Sequence, residues 1–282
     1  MPRPCAERLA RGLVVAGLAV LAAAFLAPIA WMVSSSLTPN DRVFRYPPAW
    51  VPLPPTLENY VEVFTTTRTA RIGRALVNSF VVAVATVGLT VVVSALAGYA
   101  LARMRFPGRQ AVFLLILGGL MIPGEVTFVS LFLMMHGLGW LNSYQALVLP
   151  SLASPFGVFL YRQFFLAVPR DLEDAARIDG CGRLRILVRI IFPLARPATA
   201  TLVIFTFLTS WNHFLWPLIV VTEPSMMTVP VILAYYAAAF QTSLQWGTLM
   251  ATATASSVLP VVVFLLFQRA FVRGISSSGL KY

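Results

Sequence analysis

Apolar residues in this chain fall into six long runs, not into the spaced positions that a water-soluble core requires. Uncharged or nearly uncharged stretches cover about 13–34, 76–101, 111–135, 138–161, 197–222 and 245–268, each near the roughly 20 residues a helix needs to cross a bilayer. In hydrocarbon every backbone amide has to find its partner within its own segment. The pattern therefore predicts an all-α fold of six transmembrane helices, with Gly88, Gly98, Pro123 and Gly124 as tolerated bends. The first run follows Arg3, Arg8 and Arg11, as the core of a signal peptide would. Its apolar core is too long for one, and Ser34-Ser35-Ser36 offers no clear small-x-small cleavage pattern, so it reads as an uncleaved first helix.

Composition agrees. With 59% hydrophobic and 11% charged residues among 282, the chain cannot cover a water-soluble surface, and one membrane domain over 1–282 with lipid as its main surroundings is expected. Lys and Arg resist translocation and collect on the cytoplasmic side. With the N-terminus inside, 16 of them fall in inner segments and 5 in outer ones, namely Arg42, Arg45, Arg68, Arg71 and Arg74. Both termini are thus predicted to be cytoplasmic. The net charge of +11 is spread over loops beside apolar spans, which argues against nucleic acid as a partner. Cys5 and Cys181 have neither a CxxC spacing nor nearby histidines and read as plain thiols; His136 and His213 are too isolated to suggest a metal site.

Three connections are long enough to do more than turn the chain. The outer loop 35–75 is proline-rich through Pro47, Pro48, Pro52, Pro54 and Pro55, then amphipathic, with Leu57, Tyr60, Val61 and Phe64 on one face. A short helix in the outer interface and a docking surface for an external partner are both open readings. Segment 223–244 contains no basic residue and carries Tyr235, Tyr236, Phe240 and Gln241, which suit either an interfacial anchor or a lining for sugar-like ligands.

The third connection, 169–193, is the most informative. Asp171 can cap a helix N-terminus, acidic residues fill its first turn, and Gly180 suits a left-handed stop. Leu172, Ala175 and Ala176 share a face on which small alanines admit a close neighbour, and Glu173 can pair with Arg177 at i, i+4. A second helical stretch follows, with Leu184, Leu187, Val188 and Ile191 on one face, before Pro193 and Pro197 turn the chain into the fifth span.

The run Glu173-Asp174-Ala175-Ala176-Arg177-Ile178-Asp179-Gly180, followed by Ile191-Phe192-Pro193-Leu194, resembles the EAA loop of binding-protein-dependent ABC importer permeases, most closely the maltose-type sugar permeases. The likeness extends to Asn78-Ser79, to Gly98-Tyr99-Ala100-Leu101-Ala102-Arg103 with Phe106-Pro107-Gly108, to Met121-Ile122-Pro123, to Trp211-Asn212 with Trp216-Pro217-Leu218, and to the tail from Gly274 to Tyr282. Departures are Asp174 where the family usually has Glu, Cys181 where Ala is common, and the terminal Lys281-Tyr282.

The resemblance implies a permease subunit of the bacterial inner membrane. It would form half of a translocation path beside a second permease, in a heterodimer, with two cytoplasmic ATP-binding subunits below and a solute-binding protein outside. By this likeness Leu172 to Gly180 form a coupling helix seated in an ATPase cleft. Asp174 supplies its acidic contact, Ala175 and Ala176 its close-packed face, Gly180 its turn, and Pro193 marks the exit; Glu173, Arg177 and Asp179 complete the segment. ATP and Mg would be bound by the partner ATPase, with no cofactor on this chain. In keeping with that, no GxxxxGK[ST] is present and the only lysine is Lys281. No catalytic residue is assigned and the chain is expected not to be an enzyme.

Within the spans, Glu125 is the one acidic residue, and an ionisable group there is a functional candidate. It can meet substrate at a bent helix, or satisfy amides loosened by Pro123 and Gly124. Trp211 and Asn212, with His213 beside them, suit either a sugar path or helix packing. A secondary transporter would need several such buried acids, and a membrane scaffold would have no use for the loop at 169–193. Those two remain the alternative classes. The solute expected is a carbohydrate, a polyol or a glycerol-phosphate-like compound.

Overall fold

The computed structural model describes residues 4–46, 50–65, 71–243 and 245–279, with side chains described except at 4–10, 71, 239–243 and 269–279. Lys281 and Tyr282, Pro47 and Pro48, and Arg68 lie outside the described residues, as do the side chains of Cys5, Phe240 and Gln241. The described residues are helical, in fourteen α-helices joined by short 3-10, π and irregular turns. They group into two compact units, 1–72 with 233–257, and 73–232 with 258–282.

In the first unit, α1 (Pro4–Ser36) is apolar on every side between residues 13 and 33 and buries none of its most apolar window against the chain. Leu18, Val20, Phe25 and Leu26 stand exposed along it, as expected of a helix whose solvent is lipid. α2 (Glu58–Thr65) is the short helix expected in the outer loop, but it buries Asn59 and Val63, not the apolar stripe. Leu57, Val61 and Phe64 face away from the unit, because Asn59 is held inward by donating its amide to Ser36 O and Thr38 O, both at 2.8 Å. Asn40 caps the start of α14 (Trp246–Gly279), its Oδ1 accepting from Gly247 N at 2.8 Å.

In the second unit, α3 (Arg71–Arg103) is unbroken. Gly98 on it meets α7 (Pro155–Ala167) so closely that an added Cβ would lie 2.7 Å from Tyr161 Cβ and 3.0 Å from Arg162 N. Gly157 of α7 in turn lies against Ser94 of α3. Ser94 and Gly98, four apart on one helix, and Gly157 on the other make a crossing of small residues that lets the backbones approach.

Three of the six apolar runs are uninterrupted helices long enough to span, in α1, α3 and α14; the run at 111–135 is not a single helix. α4 (Arg109–Gly118) with its 3-10 extension and α5 (Phe128–Gly137) meet at 95°, where Ile122 is extended and Pro123 cannot donate into a continuing helix. The run at 138–161 is divided between α6 (Tyr144–Val148), a 3-10 turn at Leu149–Ser151, and α7, which Ser154 caps by accepting from Gly157 N at 3.0 Å. The run at 197–222 is divided between α11 (Arg196–Trp211) and α12 (Leu215–Val220). α13 (Val229–Ser243) makes a helix of most of 223–244, with Tyr235 exposed on it.

Candidate functional site

α8 (Asp171–Ile178) is the short helix expected between α7 and α11. Its stop is built as the sequence predicts: Gly180 has φ of +78°, Cys181 N donates to Ala176 O at 2.9 Å, and Gly180 N donates to Arg177 O at 3.0 Å. These two bonds form a Schellman closure, which favours glycine at the left-handed position. The start differs from expectation. Arg170 occupies the cap position and Asp171 already lies within the helix, with no side-chain cap bond. Asp171, Glu173 and Asp174 still bring three carboxylates to the positive end of the helix.

The feature that sequence reading missed is the partner of Glu173. Arg103, the last residue of α3, sets its Nε 2.8 Å from Glu173 Oε1, and the two side chains are only 4% and 2% exposed. Arg103 also donates from Nη2 to Val168 O, just ahead of α8, so one guanidinium holds both the approach to the helix and its first turn. Tyr99, one turn earlier on α3, donates its hydroxyl to Glu173 Oε2 at 3.4 Å. Arg177 reaches the same oxygen at 3.4 Å, as the i, i+4 spacing predicts, and pairs with Asp174 at 2.7 Å. A carboxylate this deeply buried needs such a set of donors.

The same twist divides the two alanines. Glu173 and Ala176 face inward, Ala176 joining a core with Tyr99, Ala102, Phe165, Ile186 and Ile191. Leu172, Ala175 and Ile178 face outward, with Leu172 44% and Ile178 88% exposed. The expected close-packed Ala pair is therefore split, because two neighbours in a helix point about 100° apart. Asp174 and Asp179 are exposed beside the outward stripe.

After Gly182, α9 (Arg183–Ile186) runs into a π turn at Leu187–Ile191 and then α10 (Phe192–Leu194). The wide turn changes the expected face. Ile186, Leu187 and Ile191 are buried, whereas Leu184 and Val188 are exposed. Pro193 lies just before the 81° bend into α11, at which Ala195 is fully buried. Beside α8 a polar cleft of about 560 Å³ carries Arg105, Arg170 and Arg183 on its walls.

The substrate-path candidates lie elsewhere. Glu125 is exposed at the 95° break. Trp211 is buried and stacked on Phe207, with ring centres 5.7 Å apart, and Asn212 ends α11 by donating its side chain to Leu208 O at 2.8 Å. Trp216 is also a packing residue, its indole donating to Ala146 O at 2.8 Å, and Asn78 donates to Ser225 O and Met227 O at 2.9 and 3.0 Å.

The described residues form an all-helical architecture with several apolar helices, as in a polytopic membrane protein. Residues 90–277 match the binding-protein-dependent transport system inner membrane component family, and the chain belongs to that family. It is 35% identical over 271 residues to the arabinooligosaccharides transport system permease protein AraQ of Halalkalibacterium halodurans, covering 95% of this chain and 96% of that one. It is 36% identical over 278 residues to the sn-glycerol-3-phosphate transport system permease protein UgpE of Agrobacterium fabrum, covering 97% of each. Its fold is similar to a chain of a bacterial ABC transporter involved in the import of the acidic polysaccharide alginate, with a TM-score of 0.83, 23% identity, and coverage of 96% of this chain and 100% of that one.

Proposed function

We propose that this chain is one of two permease subunits of an ATP-driven importer in the bacterial cytoplasmic membrane, and that it carries a sugar or sugar-like solute handed over by an external binding protein. It crosses the membrane six times with both termini inside, the broken runs counting as one span each. Two cytoplasmic ATP-binding subunits supply the energy and bind ATP with Mg; α8 receives their motion. Family membership supports this reading, as do the solutes in its relatives' names, an arabinooligosaccharide and a glycerol phosphate.

One observation carries the mechanical part: α8 is clamped to α3 from inside by the buried Arg103–Glu173 pair while its outer stripe of Leu172, Ala175 and Ile178 is exposed. A helix fixed on one face and free on the other passes a push from a partner into the helix behind it. Asp174 and Asp179 flank the free stripe and give it a charged rim. Glu125, Trp211 and Asn212 remain candidates for the path.

Co-purification from the native membrane tests the assignment, since a second permease and an ATPase are expected to accompany this chain. Gly180→Trp and Asp174→Arg are expected to leave the chain inserted while separating ATP hydrolysis from uptake. Solute movement by the purified chain alone would overturn the reading in favour of a secondary carrier.

A further inference from the structure

The connection between α3 and α4, the start of α4 and the residue just ahead of α8 line a second cleft, of about 440 Å³. Arg105, Arg109 and Arg170 stand around it, and no aspartate or glutamate does. Arg105 and Arg170 are exposed, and neither guanidinium makes a hydrogen bond or ion pair among the described residues. Arg109 is half-buried and held in place, its Nη1 donating to Met104 O at 3.2 Å. Glu173 and Asp174 border the adjoining cleft beside α8, but Arg103 and Arg177 already engage them. Like charges gathered on one cleft repel one another, and an anion between them relieves the repulsion.

Arg162 of α7 adds to the same field. Its guanidinium carbon lies 3.8 Å over the ring of Phe113, one turn beyond Arg109 on α4, and it is close enough to Arg109 for the two charges to oppose each other. It too makes no ion pair among the described residues.

The surroundings favour a lipid over a soluble anion. From Arg109 onward α4 leaves Val112, Leu114 and Leu115 exposed, as a helix does where its solvent is hydrocarbon. The arginines therefore sit where an apolar face ends, at the level of lipid headgroups. Guanidinium forks match phosphate oxygens in pairs. Phe106, also in the lining and 38% exposed, adds an apolar surface that suits the start of an acyl chain and does nothing for a free phosphate ion.

We infer that this cleft binds the headgroup of an anionic phospholipid, with Arg105, Arg109 and Arg170 around its phosphate. The choice of the cytoplasmic leaflet rests on the inward termini of the reading above, whereas the choice of ligand does not. Arg170 directly precedes α8, so a bound headgroup ties the proposed coupling segment to the bilayer surface.

The test uses the full complex purified from the native membrane, delipidated in a neutral detergent and titrated with dioleoylphosphatidylglycerol or dioleoylphosphatidylcholine, with bound lipid read by native mass spectrometry. Phosphatidylglycerol is expected to bind about tenfold or more tightly than phosphatidylcholine, and Arg105→Gln/Arg170→Gln to abolish most of that preference. Arg185→Gln/Arg189→Gln removes the same charge from two other exposed positions and is expected to keep it. No preference in the unaltered complex, an equal loss with both pairs, or displacement of the lipid by millimolar inorganic phosphate each overturns the site. Loss of the ATP-binding subunits from the Arg105→Gln/Arg170→Gln complex overturns it as well, because the cleft is then a protein contact. Labelling of Arg105→Cys from outside by an impermeant thiol reagent, with Cys5 and Cys181 replaced by serine, would instead overturn the topology, so the two failures are told apart.

Discussion

Arg103 on α3 and Glu173 on α8 form a buried ion pair at 2.8 Å, and with it the loop helix becomes part of the long helix that precedes it. The pair has consequences for stability and for transmission, because a charge left alone at such a depth is far more costly than a charge left alone at a surface.

Replacing Arg103 with Ala is expected to destabilise the chain by about 3–5 kcal/mol, since Glu173 is left buried with weaker donors. Thermal unfolding in detergent checks this. Arg103→Ala/Glu173→Ala is expected to be less destabilised than the single variant, and a double variant no better than the single one would show that the pair is not coupled.

The two alanines of α8 are expected to separate. Ala176→Asp places a charge in the core with Tyr99 and Ile186 and is expected to lower the unfolding temperature of the isolated chain. Ala175→Asp lies on the outward stripe and is expected to leave that temperature within about 0.5 kcal/mol equivalent of the original, while reducing ATPase co-purification. Equal effects of the two on stability would contradict the inward and outward assignment.

Gly180 is required for its backbone, not for space, because nothing lies within 4 Å of where a Cβ would be. Gly180→Val is therefore expected to cost about 1–2 kcal/mol, and Gly180→Asn clearly less, since Asn tolerates the left-handed region. Proteolytic susceptibility of the 179–183 segment is the readout.

Gly98 is the opposite case. Gly98→Leu drives into Tyr161 and the backbone of Arg162 and is expected to cost about 1–3 kcal/mol or more, whereas Gly88→Ala on the same helix meets nothing within 4 Å and is expected to be neutral or slightly stabilising. Parallel melting curves of the two variants make the comparison.

Local signals were readable along the chain and distant ones were not. The stop at Gly180, the acidic first turn of α8 and the Glu173–Arg177 pair involve neighbours within one or two turns, so spacing alone determines them. Arg103 lies on another helix, and no periodicity links it to Glu173. Both alanines fit one apolar stripe by spacing; which of them faces inward depends on the core that Ile186 and Ile191 bring up behind. That core in turn depends on a π turn, and Leu187–Ile191 has no proline, glycine or charge pattern to announce one. Apolar length identified α1, α3 and α14 as spans but does not distinguish a straight helix from the 95° break at Ile122-Pro123, although Pro123 marked the place.

The most direct measurement is cross-linking from Ile178, which is 88% exposed on the outward stripe. With Cys5 and Cys181 replaced by serine and Ile178→Cys introduced, a short bifunctional thiol reagent applied to the native-membrane complex is predicted to join this chain to the ATP-binding subunit, with a yield that changes on adding ATP. A product with the external binding protein, or none with the ATP-binding subunit in a complex that retains it, would contradict the account.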